Sequence, residues 1–447
     1  MQNCTVGSTS GKGYGDCLRY ATEWLIVLNK QAGRVTMEAS ATIEIAKHTL
    51  LACGIILAAG AFCAFLAQKI KVPDIVIFLL AGIVLGPELS GVINITAESV
   101  LNQIILIFGS CYILFDGGAS LRFKVLKEVW ITIVVIATVG VLITAGITAA
   151  AAFYVFEVPF IVALLLGATI ASTDPATLVP IFKQVRIRDR VSQTVMSESA
   201  FNDAMGAIIT FAVLAVAMGA SEFSVQKSLM DLGKQSVLGI LAGGILGYLA
   251  AMLIAHEKYA FLSEYAPVVT LMAVIGAYLG ADGLHASGFM AVFVFGIVLG
   301  NKESFGFKVE KGEDEKLEEY ILTTSFIMRM YIFILLGTQV NFSLMNQYIA
   351  GGAIVIAVFM LIARPVTVFL CALPDRRAKW SVNEMLFMCW TRETGVIPAA
   401  LAGLLVGMKA PGAEMIASVT FIAIMMTILI QATTTKLLAK KLGLLVE

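Results

Sequence analysis

Long apolar runs alternate with short charged interruptions from about Leu50 to Leu438. Each run is roughly 18–25 residues, and a helix rising about 1.5 Å per residue then crosses a hydrocarbon core about 30 Å thick. Thirteen runs are centred near residues 58, 82, 109, 142, 170, 207, 246, 271, 292, 331, 361, 395 and 425. The pattern predicts an all-α polytopic membrane protein of about 13 transmembrane helices. It divides the chain into an N-terminal tail (1–44), a transmembrane domain (45–441) and a short C-terminal tail (442–447).

The polar interruptions carry their own periodicity. Loops after odd-numbered runs hold 20 Lys and Arg, while loops after even-numbered runs hold three: Lys227, Lys234 and Lys409. Basic residues concentrate in cytoplasmic loops. The alternation therefore supports the span count and predicts a cytoplasmic C-terminus in a cell membrane. The N-terminal tail breaks the rule with Lys12, Arg19, Lys30, Arg34 and Lys47. A start at Met37 would remove four of those five charges, so residues 1–36 are expected to be absent from the mature protein.

Composition agrees with the pattern. Of 447 residues 59% are hydrophobic and 14% charged, against about 25% charged in soluble domains. The formal net charge of zero gives no basis for nucleic-acid binding. The cysteines and the three histidines (His48, His256, His285) form no metal-binding spacing, and no cofactor is expected.

The chemistry lies in the few ionisable residues inside the runs. Arg329, Arg364 and Arg392 fall within spans 10, 11 and 12, and Asp116, Asp174, Glu198, Asp203 and Glu393 are the intramembrane acids. Each arginine costs about 2.5–3.5 kcal/mol or more at mid-bilayer, so these groups should face the interior and find partners. Span 5 reads Ser172-Thr173-Asp174-Pro175. Proline removes a backbone donor and disfavours helix at the preceding residue, so the helix should break at a carboxylate. The freed carbonyls are tolerated in a membrane only where they line a cavity or bind something. Together with the hydroxyls of Ser172 and Thr173 they offer hard oxygens for Na⁺, Li⁺ or K⁺.

Span 6 carries Glu198, Ser199, Asn202 and Asp203. Ser199 and Asp203, four apart, share a helix face. Glu198 lies about 140° from Asp203 around the axis. Asp203 is thus the acid expected to titrate, and Glu198 the one expected to pair with an arginine. Span 12 is interrupted by Arg392-Glu393-Thr394-Gly395. Broken segments in corresponding positions, spans 5 and 12, fit inverted repeats of spans 1–6 and 8–13 and point to a transport site.

Thr173-Asp174-Pro175, Glu198-Ser-x-x-Asn202-Asp203, Ala363-Arg364-Pro365 and Thr391-Arg392-Glu393-Thr-Gly395 together resemble the monovalent cation:proton antiporter superfamily. The Asn-Asp pair is similar to that of its electroneutral, NhaP-like branch. The resemblance covers about residues 45–440. It implies a dimerisation domain, a mobile core domain and a homodimer in the lipid bilayer. It also implies an ion and proton site of Asp203, Asp174, Ser199 and the Thr173 carbonyl. Asn202 would support the crossover, Glu198 would pair with Arg364, and Asp116 would lie near the ion path. Two features depart from the pattern: the added acid Glu393 and the basic Arg329, which are expected to neutralise each other. The implied activity is exchange of a monovalent cation, Na⁺ first, for H⁺, one for one, by elevator-like alternating access and without enzymatic chemistry. A passive cation channel and an intramembrane aspartyl protease are the rival readings. The protease's Gly13-Tyr-Gly-Asp16-like string lies outside every span.

Overall fold

The computed structural model describes residues 43–70, 72–173, 187–219, 225–255, 262–307 and 311–445. The N-terminal tail to residue 42, the alternative start at Met37, and Asp174 with Pro175 lie outside the described residues. The chain divides into two compact units, Met1–Ile55 and Ile56–Glu447. Of the first, the described part is the beginning of an apolar helix. The second contains the rest of that helix and all the others.

All regular structure among the described residues is helical apart from one isolated bridge, Ile187 to Leu445. The helices are α1 (Ile43–Ile70), α2 (Asp74–Leu85), α3 (Val100–Ser120), α4 (Phe123–Val135), α5 (Val141–Phe156) and α6 (Phe160–Thr169). They continue with α7 (Asp189–Ala217), α8 (Val225–Ala255), α9 (Ala266–Gly283), α10 (Gly288–Gly300) and α11 (Lys311–Thr338). The last six are α12 (Phe342–Val358), α13 (Arg364–Ala372), α14 (Val382–Trp390), α15 (Val396–Gly407), α16 (Ala413–Met426) and α17 (Thr433–Lys441). Wide π turns join α4 to α5 (Ile136–Gly140), α12 to α13 (Phe359–Ala363) and α16 to α17 (Thr427–Ala432).

Nine of the described helical segments are long and apolar enough to cross a membrane. Four expected centres fall instead in or beside shorter apolar helices, α2, α6, α10 and α15, of 12, 10, 13 and 12 residues. At about 1.5 Å per residue these rise only about 15–20 Å, less than a bilayer core. Hydropathy counts them as full spans because apolar loop and helix residues look alike to it. Two of the four, α6 and α15, adjoin the non-helical residues 170–173 and 391–395.

The side chains divide as a bilayer requires. Leu241, Ile245, Met272 and Leu279 point outward from α8 and α9. Inside, Phe115 stacks on Phe295 at 5.1 Å and Phe293 meets Phe201 edge-on at 4.8 Å, which packs α3 and α7 against α10. Since lipid is as apolar as the core, close packing has to hold helices together. Gly243 shows it: a Cβ there would sit 2.1 Å from the Ala291 carbonyl oxygen of α10. This glycine-rich stretch of α8 is therefore spent on a contact within the chain.

A polar clamp holds the loop between α13 and α14. Thr132 donates to Asp375 at 2.5 Å, and Trp380 donates to Thr132 at 2.9 Å. Arg190, at the start of α7, lies 4.1 Å over the Trp380 ring and reaches Glu384 at 3.5 Å. Burial pushes the Asp375 carboxyl up. Hydrogen bonds from Thr132 and from the Ala378 and Arg377 backbone outweigh it and hold the group below its usual value. A carboxyl with a lowered folded pKa stabilises the fold above the ordinary value and loses that contribution as pH falls through the lowered one.

Two outcomes are expected. Gly243→Val should lower the Tm of detergent-purified protein by several degrees, since forced overpacking costs about 1–3 kcal/mol; an unchanged Tm would mean that α8 and α10 are not in this contact. Asp375→Asn should lower Tm at pH 6, and its gap to the wild type should narrow below about pH 4, near the usual carboxylate value. A gap independent of pH would deny the charge any part.

Candidate functional site

The first half-helix, α6, stops at Thr169, and residues 170–173 leave helical geometry beside α7. Gly206 makes this approach possible, because a Cβ there would lie 2.9 Å from the Ser172 Cβ. Four residues of α7 face the break or its surroundings: Glu198, Ser199, Asn202 and Asp203, all 5% exposed or less.

Asn202 is the clasp. Its side-chain oxygen accepts the Thr173 N–H at 2.9 Å, and its amide nitrogen donates to the Thr173 hydroxyl at 2.8 Å and to Glu198 at 3.3 Å. The Ser199 hydroxyl donates to the Thr173 carbonyl at 2.7 Å and touches the Thr173 hydroxyl at 2.8 Å. The structure thus brings Thr173, Ser199 and Asn202 into one hydrogen-bonded ring, with Asp203 the next residue on α7. Asp174 follows Thr173 directly and lies outside the described residues.

The charges sort into separate partnerships. Arg364 donates from both terminal nitrogens to the two oxygens of Glu198, each at 2.7 Å, and from Nε to the Met388 carbonyl at 3.0 Å. Both side chains are about 1% exposed, so the pair is dry and bidentate, the strongest arrangement open to these groups. Arg392 sits in the second break, the extended residues 391–395 between α14 and α15. It donates to the Ala171 carbonyl just past α6 and stacks 4.9 Å over Phe359. A helix C-terminus carries partial negative charge and orphaned carbonyls, so the arginine of one break caps the half-helix of the other. Sequence reasoning misses that contact; the general attraction of a cation to a helix end is the signal that could have found it.

Arg329 lies in electrostatic range of Asp116, which also interacts with Ser325. Spans 10 and 3 pack together, a neighbourhood that linear order does not reveal. Asp116 also lines a cavity of about 120 Å³ whose walls include Arg122, Lys302, Asp314 and Glu318.

A helical membrane protein that buries a carboxylate beside two interrupted helices, one capping the other, has the construction of a secondary transporter. The sequence profile of the family described as sodium/hydrogen exchanger, transmembrane, matches residues 55–441. The chain belongs to this family, within the NhaP-like branch of the monovalent cation:proton antiporters. Its relatives include Na(+)/H(+) antiporter 1 of Methanocaldococcus jannaschii, 32% identical over 358 residues, which are 78% of this chain and 81% of that protein. The K(+)/H(+) antiporter NhaP2 of Shewanella sp. (strain ANA-3) is 28% identical over 383 residues, 84% of this chain and 64% of that protein. The solved structure of the sodium proton antiporter MjNhaP1 from Methanocaldococcus jannaschii at pH 8 superposes with a TM-score of 0.77 at 29% identity. It covers 88% of this chain and 99% of its own. The family is one of transporters rather than enzymes.

Breaking the buried pair should be costly. Arg364→Leu or Glu198→Leu alone leaves a bare buried charge, and a loss of about 3–5 kcal/mol is expected, read as a large fall in Tm. The double variant should recover a substantial part, and additive losses would show that the two residues do not act as a pair. Gly206→Val should displace the Ser172 backbone and reduce transport more than it reduces Tm. Wild-type transport in this variant would separate the Gly206 contact from the site.

Proposed function

We propose that the protein is a secondary active antiporter that exchanges a monovalent cation for H⁺ at a single site centred on Asp203. The observation that carries this reading is the division of labour on one turn of α7. Glu198 is held by both nitrogens of Arg364, while Asp203 sits 5% exposed beside the Thr173–Ser199–Asn202 ring. Of these two acids, Asp203 is the one able to trade a proton for a cation. Ser199 and the Thr173 carbonyl, with Asp174, supply further hard oxygens. A carbonyl oxygen has two lone pairs and a hydroxyl both donates and accepts, so a bound ion can share atoms that the ring already uses.

Asp203 holds either H⁺ or a dehydrated cation. Either occupant cancels its charge, whereas carrying a bare carboxylate through a medium of low dielectric is costly. The occupied core therefore crosses between the two sides and the empty one does not, which couples the two fluxes one for one in an elevator-like cycle. Two of the three arginines inside the membrane support this electroneutral count, because Arg364 and Arg329 each already face an acid. Na⁺ is the first candidate cation; relatives named for Na⁺ and for K⁺ both occur. The protein is proposed to work as a homodimer in a prokaryotic plasma membrane with its C-terminus in the cytoplasm.

The test uses proteoliposomes with an imposed pH gradient, adding Na⁺, Li⁺ and K⁺ in turn with the membrane potential clamped and then free. Cation-driven proton movement at a rate indifferent to the potential is expected, and Asp203→Asn should reduce it to background in protein that still elutes as folded dimers. Full exchange in that variant would place the site elsewhere. A rate that follows the potential would overturn the one-for-one count, and cation flux without proton movement would favour a channel.

A further inference from the structure

The second break carries polar side chains that the exchange site does not use. The Thr394 N–H donates to the Thr427 hydroxyl at 3.0 Å, which anchors the extended segment to the π turn after α16. On that helix Thr420, Thr427 and Gln431 are seven and four residues apart, so they fall on one face. All are 0% exposed. The Thr394 and Thr420 hydroxyls and both amide atoms of Gln431 are buried with no hydrogen-bond partner in the protein among the described residues. Such groups are rare in native interiors, because a polar group stripped of water and given no partner is strongly destabilising.

The chemistry of the amide decides what fits. A bare cation would satisfy only the Gln431 oxygen, and an anion only its nitrogen. Water both donates and accepts, and so serves the amide and the two hydroxyls alike. Beyond Gln431 the same face continues into α17. Thr435, one turn on, donates to the Gln431 carbonyl at 2.7 Å, and Thr434 beside it is exposed and bonded to Trp390. We propose that Thr394 and Gln431 hold ordered waters on the side of Thr427 that leads from the second break towards α17. They admit protons to the crossing region by a route separate from the cavity at Asp116. The proton-conducting role rests on the exchange reading above; the water site does not.

A cryo-EM map of the wild-type protein in nanodiscs at about 2 Å tests the site directly. Discrete density within hydrogen-bond distance of the Gln431 amide and the Thr394 hydroxyl is expected; side chains repacked onto protein partners, or a dry contact, would overturn it. The route is tested with Gln431→Leu in proteoliposomes. At saturating cation, proton-coupled exchange should fall about tenfold while the cation KM stays within twofold of the wild type. An unchanged rate, or a loss confined to KM, would refute the route. If Gln431→Leu does not fold, Thr394→Val is read in the same way. Should the wild-type protein show no exchange at all, the exchange reading fails and the map still decides the water site.

Discussion

Stripping water from a carboxylate and a guanidinium costs each several kcal/mol, and the Glu198–Arg364 pair offsets this only through geometry. Two parallel bonds at 2.7 Å and a third to the Met388 carbonyl leave little of the guanidinium unsatisfied. The consequences spread from there. The pair ties α7 to α13 and α14, and so fixes the turn of α7 that carries Ser199, Asn202 and Asp203. Asp203 lies five residues on from this pair, on the same helix and 5% exposed.

The two breaks are held by different means. The first is clasped by a neutral amide: Asn202 accepts from the Thr173 backbone and donates to its hydroxyl. A carboxylate there could accept but not donate, and would add a charge to the site. The second break sends Arg392 across to the carbonyl end of α6, which meets the demand that exposed backbone in a membrane be satisfied by protein. Each interruption is thereby stabilised by residues of another segment, so the breaks form one interdependent centre. The π turns at Phe359–Ala363 and Thr427–Ala432 lie at the same centre, one under Arg392 and one against Thr394. Wide turns of this kind often accompany functional sites.

Much of this is legible along the chain, for reasons that can be named. Helix periodicity alone separates Glu198 from Asp203 and unites Ser199 with Asp203, because it depends on nothing beyond 3.6 residues per turn. Proline and glycine in the sequence signal the two breaks, which the described residues show at 170–173 and 391–395. Hydropathy locates the apolar segments but not their lengths as helices, which is why α2 and α10 read as full spans.

What the sequence by itself determined was therefore whatever local physics controls: a helical membrane protein, the places where helices must break, and which face each acid occupies. Tertiary structure alone decided the partnerships. Arg364 meets Glu198 across 166 residues, Arg329 lies in electrostatic range of Asp116, and Arg392 reaches the Ala171 carbonyl just past α6. In a low-dielectric interior each charge must settle on whichever opposite charge or carbonyl the packing brings within reach. That choice is set by which helices touch, and chain order does not encode it.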